Sequence, residues 1–136
     1  MEMVTDVNEP PRRRTILVVD DEEGIRTVLR LALTRAGYEV VEAEDGEVAL
    51  ERIAEEVPDL VMLDVMMPGM GGYAVCQTLR EQPQTAALPV IMLSARTDSR
   101  SRQAGLSAGA TKYLTKPLAA DQLLRHVAEA LQTVVS

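Results

Sequence analysis

Five short apolar runs, separated by stretches with helical spacing, constrain this chain more than any other feature. The runs are "TILVVD" at 15–20, "EVVEA" at 39–43, "DLVMLD" at 59–64, "PVIMLSA" at 89–95 and "TKYLT" at 111–115. Three of them are apolar nearly throughout, the pattern of strands covered on both faces. Between the runs, Ile25, Val28, Leu29, Ala32 and Leu33 share one face of a predicted helix over 22–36, with Gly37 placed as its C-terminal cap. Val48, Ala49 and Ile53 mark a second helix before Pro58. Val75, Cys76 and Leu79 mark a third over 72–82. A polar, weakly amphipathic fourth falls over 98–108, and the last runs through Leu123, Leu124, Val127, Leu131 and Val134.

Strands that alternate with helices pair in parallel through right-handed crossovers. Five such units in 136 residues predict one flavodoxin-like α/β domain. Its sheet is doubly wound, five-stranded and parallel, in the order 2-1-3-4-5, with five helices on the two faces. Residues 1–14, which include Pro10-Pro11, read as a flexible lead-in, and 15–136 as the domain.

Charge and cysteine usage remove several function classes. The net charge is −7, and the only basic run is "RRR" at 12–14 in the lead-in. Neutralising nucleic-acid phosphates needs clustered Lys and Arg, so direct nucleic-acid binding by this domain is not expected. Cys76 is the only cysteine, which excludes an intramolecular disulfide. No apolar run approaches the ~18 residues of a membrane helix, and the first residues lack the order of a signal peptide. The expected location is the cytoplasm.

Ligands of doubly wound sheets bind beyond the carboxyl ends of the strands, where the strand order reverses. There the sequence places Asp20-Asp21 after the first strand, Asp64 after the third, Ser94 after the fourth and Lys116-Pro117 after the fifth. Strands one and three adjoin in the predicted order, so three carboxylates converge. Mutual repulsion would force protonation unless a cation intervenes, and an all-oxygen donor set suits Mg²⁺. Lys116 adds a point cation and Ser94 a hydroxyl. Such surroundings suit a phosphoryl group, and a carboxylate among them can itself be the nucleophile. Glu22 and Glu23 need only the first helix's N-terminus to explain them.

With "ILVVDDEE", "PDLVMLDVMMPGMGGYAVC", "LPVIMLSA" and "GATKYLTKPL" in this order and spacing, the chain resembles the receiver domain of two-component response regulators over 15–134. The resemblance implies that Asp64 is the phosphoacceptor and Asp21 a direct Mg²⁺ ligand. Asp20 would act on the metal through water, Asp64 and the Met66 carbonyl would complete the protein ligands, and Mn²⁺ could substitute. Ser94 and Lys116 would contact the phosphoryl oxygens. Ser94 and Tyr113 would form the switch that reshapes the face of helix four, strand five and helix five. A cis peptide is expected before Pro117. The implied partner is a sensor histidine kinase or a histidine phosphotransfer protein, and the implied role is a signalling phosphoacceptor that assists its own phosphorylation and dephosphorylation, not an enzyme. Its output, as a downstream protein or a fused domain, is open, and so is whether the chain stands alone.

The chain departs from the family pattern at Gly71, where many receivers carry Asp, at Ser94, where Thr is commoner, and at Leu118, where Phe is frequent. Met66 and Arg96 lie two residues beyond Asp64 and Ser94, and are expected to border the approach of hydrolytic water and lengthen the phosphoryl lifetime. His126 has no acidic or metal-ligand partner in sequence and is given no role. A haloacid-dehalogenase-like phosphatase would need Asp-x-Asp after the first strand. A flavin-binding protein would need a Gly- and hydroxyl-rich loop where "DDEEG" stands.

Overall fold

Each apolar run forms a strand in the structure, a computed structural model that describes residues 13–132. Most of the expected lead-in (residues 1–12) and Val134 lie outside the described residues. The strands are β1 (Thr15–Val19), β2 (Glu39–Ala43), β3 (Leu60–Asp64), β4 (Val90–Ser94) and β5 (Lys112–Thr115). They pair in parallel in the order β2-β1-β3-β4-β5, with Val18 opposite Met62, Met62 opposite Ile91 and Ile91 opposite Lys112.

Period-two alternation explains why the central runs are apolar throughout. Ile16, Val18, Leu60, Met62, Ile91 and Leu93 point to one face, where they pack on Leu33, Leu123, Val127 and Leu131. Leu17, Val19, Val61, Leu63, Val90 and Met92 point to the other and meet Ala49, Ile53, Val75, Cys76 and Leu79. The first layer lies under α1 (Glu23–Arg35) and α5 (Ala120–Gln132). The second lies under α2 (Gly46–Glu55), α3 (Gly72–Arg80) and α4 (Ser99–Ser107). In a chain without Phe or Trp, Met62 and Met92 are among the largest fully buried side chains.

Local chemistry sets the helix ends. The Asp45 and Asp98 carboxylates accept from the Val48 and Ser101 N–H groups and start α2 and α4. Gly37, at φ +102°, closes α1, as expected. Its N–H donates to the Thr34 carbonyl and the Tyr38 N–H to Leu33, which satisfies two end carbonyls. At Gly71, where many receivers carry Asp, α3 begins without a side-chain cap.

Candidate functional site

Four of the five predicted strands are shorter by a residue or two and the second, 39–43, is unchanged, which leaves the chemistry where the strands stop. Asp20 and Asp21 follow β1, Asp64 and Ser94 are the last residues of β3 and β4, and Lys116 follows β5. Asp20, Asp64 and Ser94 are buried, whereas Asp21 is exposed. The three acids bring carboxylate oxygens within 4.8 Å of one another, so they could hold a metal ion.

The two buried acids are anchored. One Asp20 oxygen accepts from the Glu22 N–H at 3.0 Å, which also fixes the start of α1. The other accepts from Lys116 Nζ at 3.1 Å, and the same ammonium donates to Asp64 Oδ1 at 3.3 Å. The Lys116–Pro117 peptide is cis. Arg26 holds the Asp20 carbonyl from α1 at 2.7 Å and is itself braced by Glu42 at 3.1 Å.

One ammonium bridges two buried carboxylates, and the titration of Asp64 and Lys116 reflects that crowding. Burial first, and the Asp20 charge second, push the Asp64 carboxyl above the ordinary aspartate range. Lys116 and the Met66 N–H offset only part of this. For Lys116 burial works against the charged form, but the Asp64 and Asp20 carboxylates outweigh it and leave the ammonium above the ordinary lysine range. The site therefore holds excess negative charge in a poorly solvated place.

A hydrogen-bonded chain leads away from the acids. The Arg96 N–H donates to Ser94 Oγ at 3.0 Å, and the Arg96 carbonyl accepts from the Tyr113 hydroxyl at 3.2 Å. Tyr113, the expected switch aromatic, is 2% exposed and lies inward. The Arg96 guanidinium donates to Ser101 Oγ at 3.2 Å and pairs with Asp98 at 3.6 Å. The first turn of α4 offers these partners, and solvent alone is the alternative. Met66 is 59% exposed and lines a groove with Arg96 and Tyr73.

Several contributors escaped the sequence reading. Arg26 and Glu42 carry no motif. Gly72 was read only as the first residue of the third helix, yet a Cβ there would meet the Asp64 carbonyl oxygen at 2.5 Å. His126 does have partners, contrary to expectation: its Nδ1 lies 3.0 Å from Lys112 Nζ and 3.8 Å from a Glu129 oxygen. Lys112 and Glu129 also pair directly. Only Glu129, three residues on, was visible as a helical neighbour.

Known proteins share this sequence pattern and fold. The family model for the response regulator receiver domain matches residues 16–128. The alkaline phosphatase synthesis transcriptional regulatory protein PhoP of Bacillus subtilis is 47% identical over 104 residues, covering 76% of this chain and 42% of the relative. The phosphate regulon transcriptional regulatory protein PhoB of Rhizobium meliloti is 41% identical over 117 residues, covering 86% of this chain and 52% of the relative. The chain thus spans about half the length of the curated relatives it matches. The chemotaxis protein CheY4 of Vibrio cholerae superposes with a TM-score of 0.84 at 34% identity, covering 88% of this chain and 99% of that one. With its sheet order and five helices, the chain belongs to the response regulator receiver family and is a receiver domain of two-component signalling.

Proposed function

We propose that Asp64 accepts a phosphoryl group from a phosphohistidine donor. The observation that carries this reading is the Lys116 ammonium spanning Asp20 and Asp64 inside a three-carboxylate cluster. An Asp64 carboxylate oxygen attacks phosphorus, the phosphorus–nitrogen bond of the donor breaks, and an acyl phosphate forms on Asp64. Lys116 stabilises charge on the transferring oxygens, and Ser94 Oγ donates to one of them after leaving the Arg96 N–H.

The donors around the acid cluster fit Mg²⁺, or Mn²⁺ in its place. All are oxygens, they carry excess negative charge, and Asp64 is strained toward protonation without a cation. Asp21 and Asp64 would bind it directly, with the Met66 carbonyl, and Asp20 through water. When bound, the ion neutralises charge on the phosphoryl oxygens. The chain's own residues orient the acceptor: Lys116 and the Met66 N–H both bond the Asp64 carboxylate.

The partner in this reading is a histidine kinase or a histidine phosphotransfer protein, and cytoplasmic residence follows from that partnership. A groove of about 470 Å³ opens beside Lys116 between α1 and α5, lined by Ile25, Val28 and Leu118. Val28 is 66% exposed and Leu31 53% exposed, so α1 offers apolar surface next to the acceptor. The domain, taken as 15–136, acts as a signalling switch and not as an enzyme on external substrates. Its output passes through the face of α4, β5 and α5. Intact-mass measurement after acetyl phosphate treatment tests the acceptor. One phosphoryl adduct should form with Mg²⁺, and none without it or in Asp64→Asn; an equal adduct in that variant overturns the assignment.

A further inference from the structure

Ser94 and Tyr113 describe one route from the acids to α4, through the Arg96 backbone. The structure contains a second route that bypasses Ser94. The Gly72 backbone lies so close to the acceptor residue that an added Cβ would sit 2.5 Å from the Asp64 carbonyl and 2.9 Å from Val65 Cα. The Gly72 N–H also donates to the Val65 carbonyl at 3.1 Å. The start of α3 is therefore held in register with Asp64. The next residue, Tyr73, extends its hydroxyl to the Ser101 carbonyl in the first turn of α4 at 3.1 Å.

Ser101 is where the two routes meet. It is buried, its Oγ accepts from Arg96 Nε and donates to Asp98, and its N–H is capped by Asp98. Residues 96 and 101 are thus held by two neighbouring hydroxyls, Tyr113 on the Arg96 carbonyl and Tyr73 on the Ser101 carbonyl. Further along α4, Gly105 makes room for the inward ring: a Cβ there would meet Tyr113 Cδ2 at 2.6 Å and Met92 Sδ at 3.1 Å. Burial, and then the neighbouring Tyr113, raise the Tyr73 hydroxyl above the ordinary phenol range, as expected for two phenols in one small space.

From these contacts we infer that Tyr73 is a positioning residue of the switch, tying the first turn of α4 to the backbone of the acceptor loop in parallel with the path through Ser94, Arg96 and Tyr113. This inference rests on the switch reading above. A rearrangement at Asp64 reaches α4 through both hydroxyls, and loss of either leaves the helix coupled on one side only.

The test compares wild type, Tyr73→Phe, Tyr113→Phe and the double variant, each of which keeps its aromatic ring. Apparent affinity for beryllofluoride is measured at saturating Mg²⁺, and Mg²⁺ affinity is measured alone. Tyr73→Phe should weaken beryllofluoride binding about fivefold, the effect of one lost hydrogen bond, and leave Mg²⁺ affinity unchanged. The double variant should bind more weakly than the product of the two single effects requires, because either hydroxyl alone still couples the helix and the double variant loses both. In the ligand-free protein, amide exchange over 99–105 should quicken in Tyr73→Phe. Wild-type beryllofluoride affinity in Tyr73→Phe, or strictly multiplicative effects, would overturn the inference. If beryllofluoride leaves wild-type amides over 94–125 unmoved, the switch reading falls with it. If those amides move equally in wild type and Tyr73→Phe, only the role of Tyr73 falls.

Discussion

Lys116 Nζ lies 3.3 Å from an Asp64 carboxylate oxygen across 52 residues of sequence, with β4 between the strands that carry them. The contact exists because β3 and β5 end at the same edge of one parallel sheet. It places an ammonium against the residue proposed to react, and Asp21 stays exposed beside it.

Asp64 gives the metal-free protein a defined pH dependence. Its carboxyl lies above the ordinary value of 3.8 because of burial and Asp20. A raised folded-state value means the native state holds that proton more tightly than the unfolded chain. The associated stability is present below 3.8 and is lost as pH rises from there through the folded value. Asp64→Asn, a neutral isostere, should lack this decline and be the more stable protein at pH 7. Denaturant midpoints of both proteins between pH 3 and 8 without divalent ions check it, and a less stable variant at pH 7 would contradict it.

Mg²⁺ should reverse that penalty. At a concentration about a hundredfold above its Kd, binding to the native state alone adds roughly 2.7 kcal/mol. The thermal midpoint should rise with Mg²⁺ and fall on chelation, and Asp21→Ala should abolish most of the rise. A variant that responds like wild type removes Asp21 from the ligand set.

Gly72 and Gly24 should respond in opposite directions to alanine. At Gly72 the new methyl would strike the Asp64 carbonyl, so Gly72→Ala should cost about 1–3 kcal/mol and impair phosphorylation. Gly24 lies in α1 with nothing within 4 Å of its Cβ position, so Gly24→Ala should gain about 0.5–1 kcal/mol. Chemical denaturation of the two variants reads both signs.

The phosphoryl lifetime tests the flanking residues. Met66 offers water no hydrogen bond and stands beside Arg96 in one groove. After donor removal, Met66→Asn should speed decay of the phosphorylated protein, and Met66→Asn with Arg96→Ala should bring the increase to about tenfold, or about 1.4 kcal/mol of barrier. Unchanged decay in both would show that neither side chain limits water access.

Sheet order and strand placement were legible because the signal is local and repeated. Val18, Met62 and Ile91 sit in runs apolar at both parities, which only a strand covered on two faces requires. The same order put Asp20, Asp21, Asp64, Ser94 and Lys116 at one edge, since parallel strands all end on the same side. Other features depended on packing between elements. The pattern "SRQAGLS" shows a polar helix and no reason for its glycine; the reason is the Tyr113 ring, 2.6 Å from where a Cβ would stand. The Arg96 guanidinium bonds Ser101 and Asp98 in the capped first turn of α4, a partnership that no sequence motif announces. Which residues gather at the sheet edge was readable from hydrophobic period and chain order, because both are written along the chain. Tertiary structure alone decided which hydroxyl reaches which carbonyl, because those distances depend on how α3 and α4 seat against β5, and no single segment encodes that.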